Sequence, residues 1–138
     1  MKNISLNEFE IQKTIEYPFS KMSSVFTTNT FFKFTGADEI KCHFKEGQPF
    51  QLTFQNRGEV NGTIITFSSS KIVLEWNVKG FNRQDENQTF VEINLTGDSN
   101  NCILKLKHSQ IPTSESANLK KTAWTELLEN LISHLRIE

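Results

Sequence analysis

No segment of the 138-residue chain approaches the run of about 20 apolar residues that a membrane-spanning helix needs. The opening stretch MKNISLNEFEIQ is too polar for a secretory signal, so a soluble, cytoplasmic protein is expected. Neither sign of charge dominates: 15 Lys and Arg stand against 16 Asp and Glu, for a net charge of −1. That leaves no basic excess to collect phosphates, and nucleic acid is not expected as a partner. There are only two cysteines, Cys42 and Cys102, far apart in strand-like segments with no CxxC pair. They read as buried free thiols, with a disulfide between them as the open alternative. Three scattered histidines give no metal-ligand spacing, and no Gly-rich loop leads into a helix as phosphate cradles require. Nucleophile motifs and recognisably spaced carboxylate pairs are also missing, so neither an enzyme nor a cofactor is expected.

What the chain has in quantity is phenylalanine, 12 in a length that suits one domain spanning 1–138. Each ring brings a large apolar surface that must be covered, which fits a wide apolar interior or the walls of a cavity. FEIQKTIEY, residues 9–17, alternates as a half-buried strand, with Phe9, Ile11, Ile15 and Tyr17 sharing one face with Lys13. Pro18 ends it, and Phe19, Met22, Val25 and Phe26 then fall at helical spacing, with Ser20 as a candidate N-cap of a short helix or helix pair. From Ile40 onward the pattern is strands: IKCHFK, PFQLTFQ, then TIITFSS after a turn NRGEVNG, IVLEWNV, TFVEINLT after a loop KGFNRQDENQ, and CILKLKHS. Gly, Asn and Asp gather at most of the reversals, as hairpins demand.

The period changes once more at the end. Trp124, Leu127, Leu128, Leu131 and Leu135 recur at steps of three and four, the signature of an amphipathic helix starting near Ser114 to Ser116. TSES supplies the N-caps, and Glu115 suits the positive end of the helix dipole. Leu119 lies off the main stripe, implying a bend or a different neighbour. An antiparallel sheet with one apolar face must be covered, and this is the only large apolar helix. The expected fold is therefore α+β: about seven antiparallel strands wrapped around a long C-terminal helix, with a short helical excursion after the first strand. A gap between a twisted sheet and one helix is either filled by side chains or left as a pocket.

The order of these elements, with EGQPF after a charged strand, NGTI followed by KIVLEW, and LKLKHSQIP followed by AWTELLENL, resembles the activator of heat-shock-protein-90 ATPase homologue family of the START-like helix-grip (SRPBCC) superfamily. The resemblance runs from Phe9 to Leu135. Pro18 matches the proline closing the first strand, and Gly47 with Phe50 the Gly-rich, aromatic-ended hairpin entry. Trp76 matches the tryptophan of the central strand, His108 the histidine closing the last strand, and Trp124 the tryptophan of the final helix. Gln48, Ala123 and Ser23 depart from the family pattern, and FFKF stands where a tryptophan often follows the first helix. These departures touch the helical excursion and the cavity entrance.

His108 takes the next inward position after Leu104 and Leu106. With an ordinary pKa of about 6.5 it could exchange protons there, but the preferred reading is a satisfied group that bonds backbone or packs on Trp124. Lys13, a cation at an apolar-parity position, could meet an acidic ligand, but a lysine that snorkels at the sheet edge is preferred. Trp76, Trp124 and Leu128 complete the candidate cavity residues, with the tryptophans able to stack on a flat ligand or serve as plain core. Outward charges such as Glu92 and Lys107 read as solvated cross-strand partners. The resemblance implies two roles: binding of a hydrophobic or aromatic small molecule, as in relatives that hold lipids, hormones and polyketides, or a protein-interaction role with a chaperone partner in the stress response. A cyclase- or hydrolase-type enzyme ranks behind both. Either a monomer or a homodimer is compatible with these readings.

Overall fold

The structure, a computed structural model, describes residues 6–82 and 84–137, apart from the side chains of the last two. In chain order it contains β1 (Asn7–Ile15), α1 (Phe19–Phe26), α2 (Thr30–Lys33), β2 (Glu39–Cys42), β3 (Pro49–Phe54), β4 (Gly58–Phe67), β5 (Lys71–Gly80), β6 (Glu86–Gly97), β7 (Cys102–Ile111) and α3 (Ser114–Ile137). The seven strands form one antiparallel sheet in the order β1-β7-β6-β5-β4-β3-β2. This is the helix-grip fold. Among the described residues no helix is long and apolar enough to cross a membrane.

Alternation builds the sheet. Ile11 and Ile15 of β1 are buried while Glu10, Gln12 and Thr14 are exposed, and β5 buries Ile72, Leu74, Trp76 and Val78 in turn. The concave face carries the core against α3, which buries Trp124, Leu128, Leu131 and Leu135 and packs on β1 and β7. The start of α3 is held by Thr113, whose Oγ1 accepts the Ser116 N–H at 3.1 Å, and Glu115 occupies the first turn. Leu119 simply faces outward, 51% exposed, on a continuous helix.

Several sequence expectations need correction. Ser20 does not cap α1: the N-cap is Pro18 in an extended conformation, which lets the chain turn straight from strand into helix with Ser20 inside the first turn. The helix is anchored instead by Ser23, whose hydroxyl donates to the Ser69 carbonyl at 2.7 Å, and by the Phe19 N–H donating to the Asp98 carbonyl at 2.9 Å. NRGEVNG is mostly strand: the reversal is confined to Gln55–Arg57, with Asn56 left-handed at φ 64°, and β4 begins at Gly58. β6 likewise begins within the expected loop, at Glu86. Both cysteines are free thiols, but only Cys102 is buried, because Cys42 lies on the outermost strand β2 and is half-exposed.

Gly62 of β4 is where the sheet tolerates no side chain. A Cβ there would lie 1.8 Å from the Glu75 carbonyl oxygen. The position pairs with Phe50 of β3, and what a side chain there would strike is the backbone of β5 at Glu75.

Candidate functional site

β7 delivers His108 to the concave face beside Leu104 and Leu106, all three fully buried. The ring is held at both nitrogens. The Trp124 indole Nε1–H donates to His108 Nδ1 at 3.0 Å, and His108 Nε2 lies 2.9 Å from Thr89 Oγ1. An indole N–H can only donate, so Nδ1 carries no proton and the neutral ring holds its proton on Nε2, donating to Thr89. The Thr89 hydroxyl passes its own proton to the Trp76 carbonyl. One chain of bonds thus runs from α3 through β7 and β6 to β5, and it closes with every member partnered. Burial first, and the positive charge of Lys120 second, push the His108 pKa down from 6.5 to about 3. A ring in this setting stays neutral and has no free nitrogen with which to take or give a proton.

Aromatic rings surround it. Trp76 and Trp124 meet at 5.2 Å, and Phe9 lies 5.9 Å from the imidazole. Phe31 of α2 stacks on Trp124 at 5.9 Å with planes 4° apart, and Phe32 stacks on Phe50 at 5.7 Å. These rings fill the half of the concave face under α1 and α2. Beyond the tryptophans the face is hollow: a cavity of about 320 Å³ lies between α3 and strands β3 to β5. Phe54, Val60, Val78 and Phe81 form its sheet wall with Trp76, and Ala123, Trp124 and Leu127 its helix wall. Ala123 is exposed, so the cavity opens to solvent alongside the helix. Its polar members include Lys120, Glu126 and Asn130.

Lys120 also belongs to a buried polar trio. Its ammonium pairs with Glu86 and donates to Ser116 Oγ at 3.1 Å, while Ser116 Oγ donates to Glu86 Oε2 at 2.6 Å. Glu86 reaches this position through an irregularity in β6. Gln88 is left-handed at φ 59° and its N–H donates to Asn77 Oδ1 at 2.6 Å, so Glu86 and Thr89, three residues apart, both face inward.

A model of the family described as "Activator of Hsp90 ATPase homolog 1-like protein" matches residues 18–136. The chain belongs to that family. A search of curated proteins found no match. Among solved structures, a protein from Mesorhizobium loti superposes with a TM-score of 0.80 at 15% identity, covering 94% of this chain and 97% of that one. An HSP90 activator from Plasmodium falciparum gives a TM-score of 0.70 at 26% identity, covering 93% and 95%. The Aha1 dimer from Colwellia psychrerythraea gives 0.69 at 17% identity, covering 91% and 92%.

The residues that carry the family resemblance fall into place around this site. Trp76, His108 and Trp124 converge, Phe50 packs on Trp76, and Gly47 sits left-handed at φ 85° in the turn that leads into β3. The five sequence-derived cavity candidates separate, however. Trp76 and Trp124 line the cavity; His108 lies behind them, and Leu128 is fully buried core that does not reach it. Lys13 stands on the edge strand β1, with its Nζ 3.6 Å from Glu129 Oε1 of α3, away from the cavity. Thr89, Glu86 and Lys120 were not singled out from sequence, and Ser116 only at the start of the last helix. Thr89 shares the parity of Val91 and Ile93, and Lys120 lies four residues before Trp124 on the apolar stripe, so both left a signal.

Proposed function

We propose that this protein is a non-catalytic binding module that takes a small apolar or aromatic molecule in the cavity between α3 and strands β3 to β5. The observation that carries the reading is the hollow of about 320 Å³ lined by two tryptophans and three phenylalanines, in a fold whose other half is filled by rings. That volume lies at the small end of ligand sites, which suits a bicyclic or tricyclic molecule. The state of His108 supports binding over catalysis: both nitrogens are committed, and its pKa of about 3 removes it as a general base near neutrality. A thermal-shift screen and native mass spectrometry against lipids and aromatic metabolites test the reading. A ligand that raises Tm and quenches tryptophan emission is expected, and Ala123→Trp, at the open flank of the cavity, is expected to abolish its binding. A screen in which no apolar compound shifts Tm or adds mass would overturn the proposal.

A chaperone-directed role is the second reading. It is favoured by the family and by the 26% identity, over nearly the full length of both chains, to the Plasmodium falciparum HSP90 activator. Adding the protein to the chaperone from its own host is expected to raise the ATPase rate. An unchanged rate with no co-purification would remove this reading and leave the first intact.

A further inference from the structure

The cavity proposed above as a ligand site has, among the described residues, one cation in a lining that is mostly aromatic and aliphatic. Lys120 and Glu86 have side chains only 10% exposed, and a buried ion pair contributes little net stability. Stability therefore does not account for placing a charge there. The three members of the trio also face different ways. Glu86 and Ser116 border a separate surface groove with Thr113 and Leu119, whereas Lys120 alone of the three lines the cavity. A lysine ammonium has three N–H donors. Glu86 Oε1 and Ser116 Oγ engage two of them, which leaves one donor without a partner among the described residues, on a side chain that lines the cavity.

We propose that Lys120 is the selectivity determinant of this cavity and that its remaining N–H binds a neutral oxygen acceptor, a ketone or phenol oxygen, on a small aromatic ligand. The proposal rests on the cavity being a ligand site. Neutrality follows from the surrounding charges: Glu86 already cancels the ammonium, and Glu126 places a further carboxylate on the lining. An anionic ligand would meet a compensated cation and the Glu126 carboxylate, whereas a carbonyl needs only the donor. The walls set the rest of the shape. Trp76 and Trp124 share the lining with Lys120, and Asn130 lies ten residues further along α3, roughly 15 Å away, so an aromatic ligand would lie along the helix with its oxygen at the Lys120 end.

Three probes of one outline separate the possibilities by quenching of tryptophan emission in the full chain: 2-acetylnaphthalene, 2-isopropenylnaphthalene and 2-naphthoate. The ketone is expected to bind about tenfold or more tighter than either of the others, the effect of one hydrogen bond to a charged donor. Lys120→Met combined with Glu86→Gln leaves no lone buried carboxylate and is expected to shrink the advantage of the ketone over the hydrocarbon to within about twofold. Glu86→Gln alone keeps the donor and is expected to preserve that advantage. Equal affinity for ketone and hydrocarbon, a preference for naphthoate, or an unchanged ratio in the double variant would overturn the role of Lys120 while leaving the cavity as a ligand site. If none of the three probes binds, the ligand site itself falls, and this proposal with it.

Discussion

Between pH 7 and pH 5, His108 alone is expected to remove about 2 kcal/mol from the stability of the fold. In the folded chain its pKa is held at about 3, below the 6.5 of an unconstrained histidine, by burial and then by Lys120. The unfolded chain therefore binds a proton that the folded chain refuses. The advantage of the folded state is complete above pH 6.5 and is lost as the pH falls from 6.5 towards 3. Each unit in that window is worth about 1.4 kcal/mol, so the 1.5 units down to pH 5 give about 2 kcal/mol, and the full descent about 5 kcal/mol, comparable with the total stability of many domains. The geometry explains the refusal: a proton on Nδ1 would confront the Trp124 indole N–H at 3.0 Å. Urea denaturation at pH 7, 6 and 5 of the wild type and of His108→Leu checks the size, since contributions common to both proteins cancel in the difference. The variant is expected to be less stable at pH 7 and to lose about 2 kcal/mol less on acidification. NMR of the ring gives an independent reading, with no His108 titration between pH 5 and 8. A ring that titrates near 6.5 in the folded protein, or a variant that loses as much stability as the wild type, would refute the reasoning.

Thr89→Val strips the acceptor from the His108 Nε2–H. The ring cannot move its proton to Nδ1 because Trp124 donates there, so a loss of about 1–3 kcal/mol in urea titrations is expected. Gly62→Ala places a methyl group 1.8 Å from the Glu75 carbonyl oxygen and must part β4 from β5; a loss of about 1–3 kcal/mol or more is expected, and an unshifted Tm would contradict the close approach. Leu128→Ala empties a fully buried site under α3 and is expected to cost about 2–5 kcal/mol by chemical denaturation. Lys13→Gln removes only a partly exposed ion pair with Glu129, so a change below about 1 kcal/mol is expected, together with unaltered binding of any cavity ligand.

Parity along single strands and periodicity along the last helix carried most of the fold. They place Leu104, Leu106 and His108 on one face, Trp76 among the inward residues of β5, and Trp124 at the head of the apolar stripe, and the structure has each of them there. The polar trio was hidden for a different reason. Strand parity counted back from Thr89 puts Asn87 inward and Glu86 outward. The left-handed Gln88 reverses that count, and glutamine gives no hint of a positive φ. Lys120 is the opposite case, because its spacing to Trp124 puts it on the apolar stripe, but a lysine there can equally snorkel outward. Lys13, which invited the ligand reading, is the lysine that does reach the edge.

How much of the concave face stays hollow is decided by the segment between β1 and β2. Phe31 and Phe32 of α2 stack on Trp124 and Phe50, which closes the half beneath α1 and α2. The chain then carries Phe34 and Thr35 over to the rim of the open half, where Phe34 meets the His134 ring edge-on at 5.5 Å. FFKF, the stretch that departs from the family pattern, therefore touches both compartments: its first two rings seal one and its third borders the other. Its α2 has no side-chain cap and spans only Thr30–Lys33, so packing of these rings, more than helix propensity, holds it in place. A relative with a different aromatic pattern at these positions would divide the same interior differently under an unchanged sheet and helix.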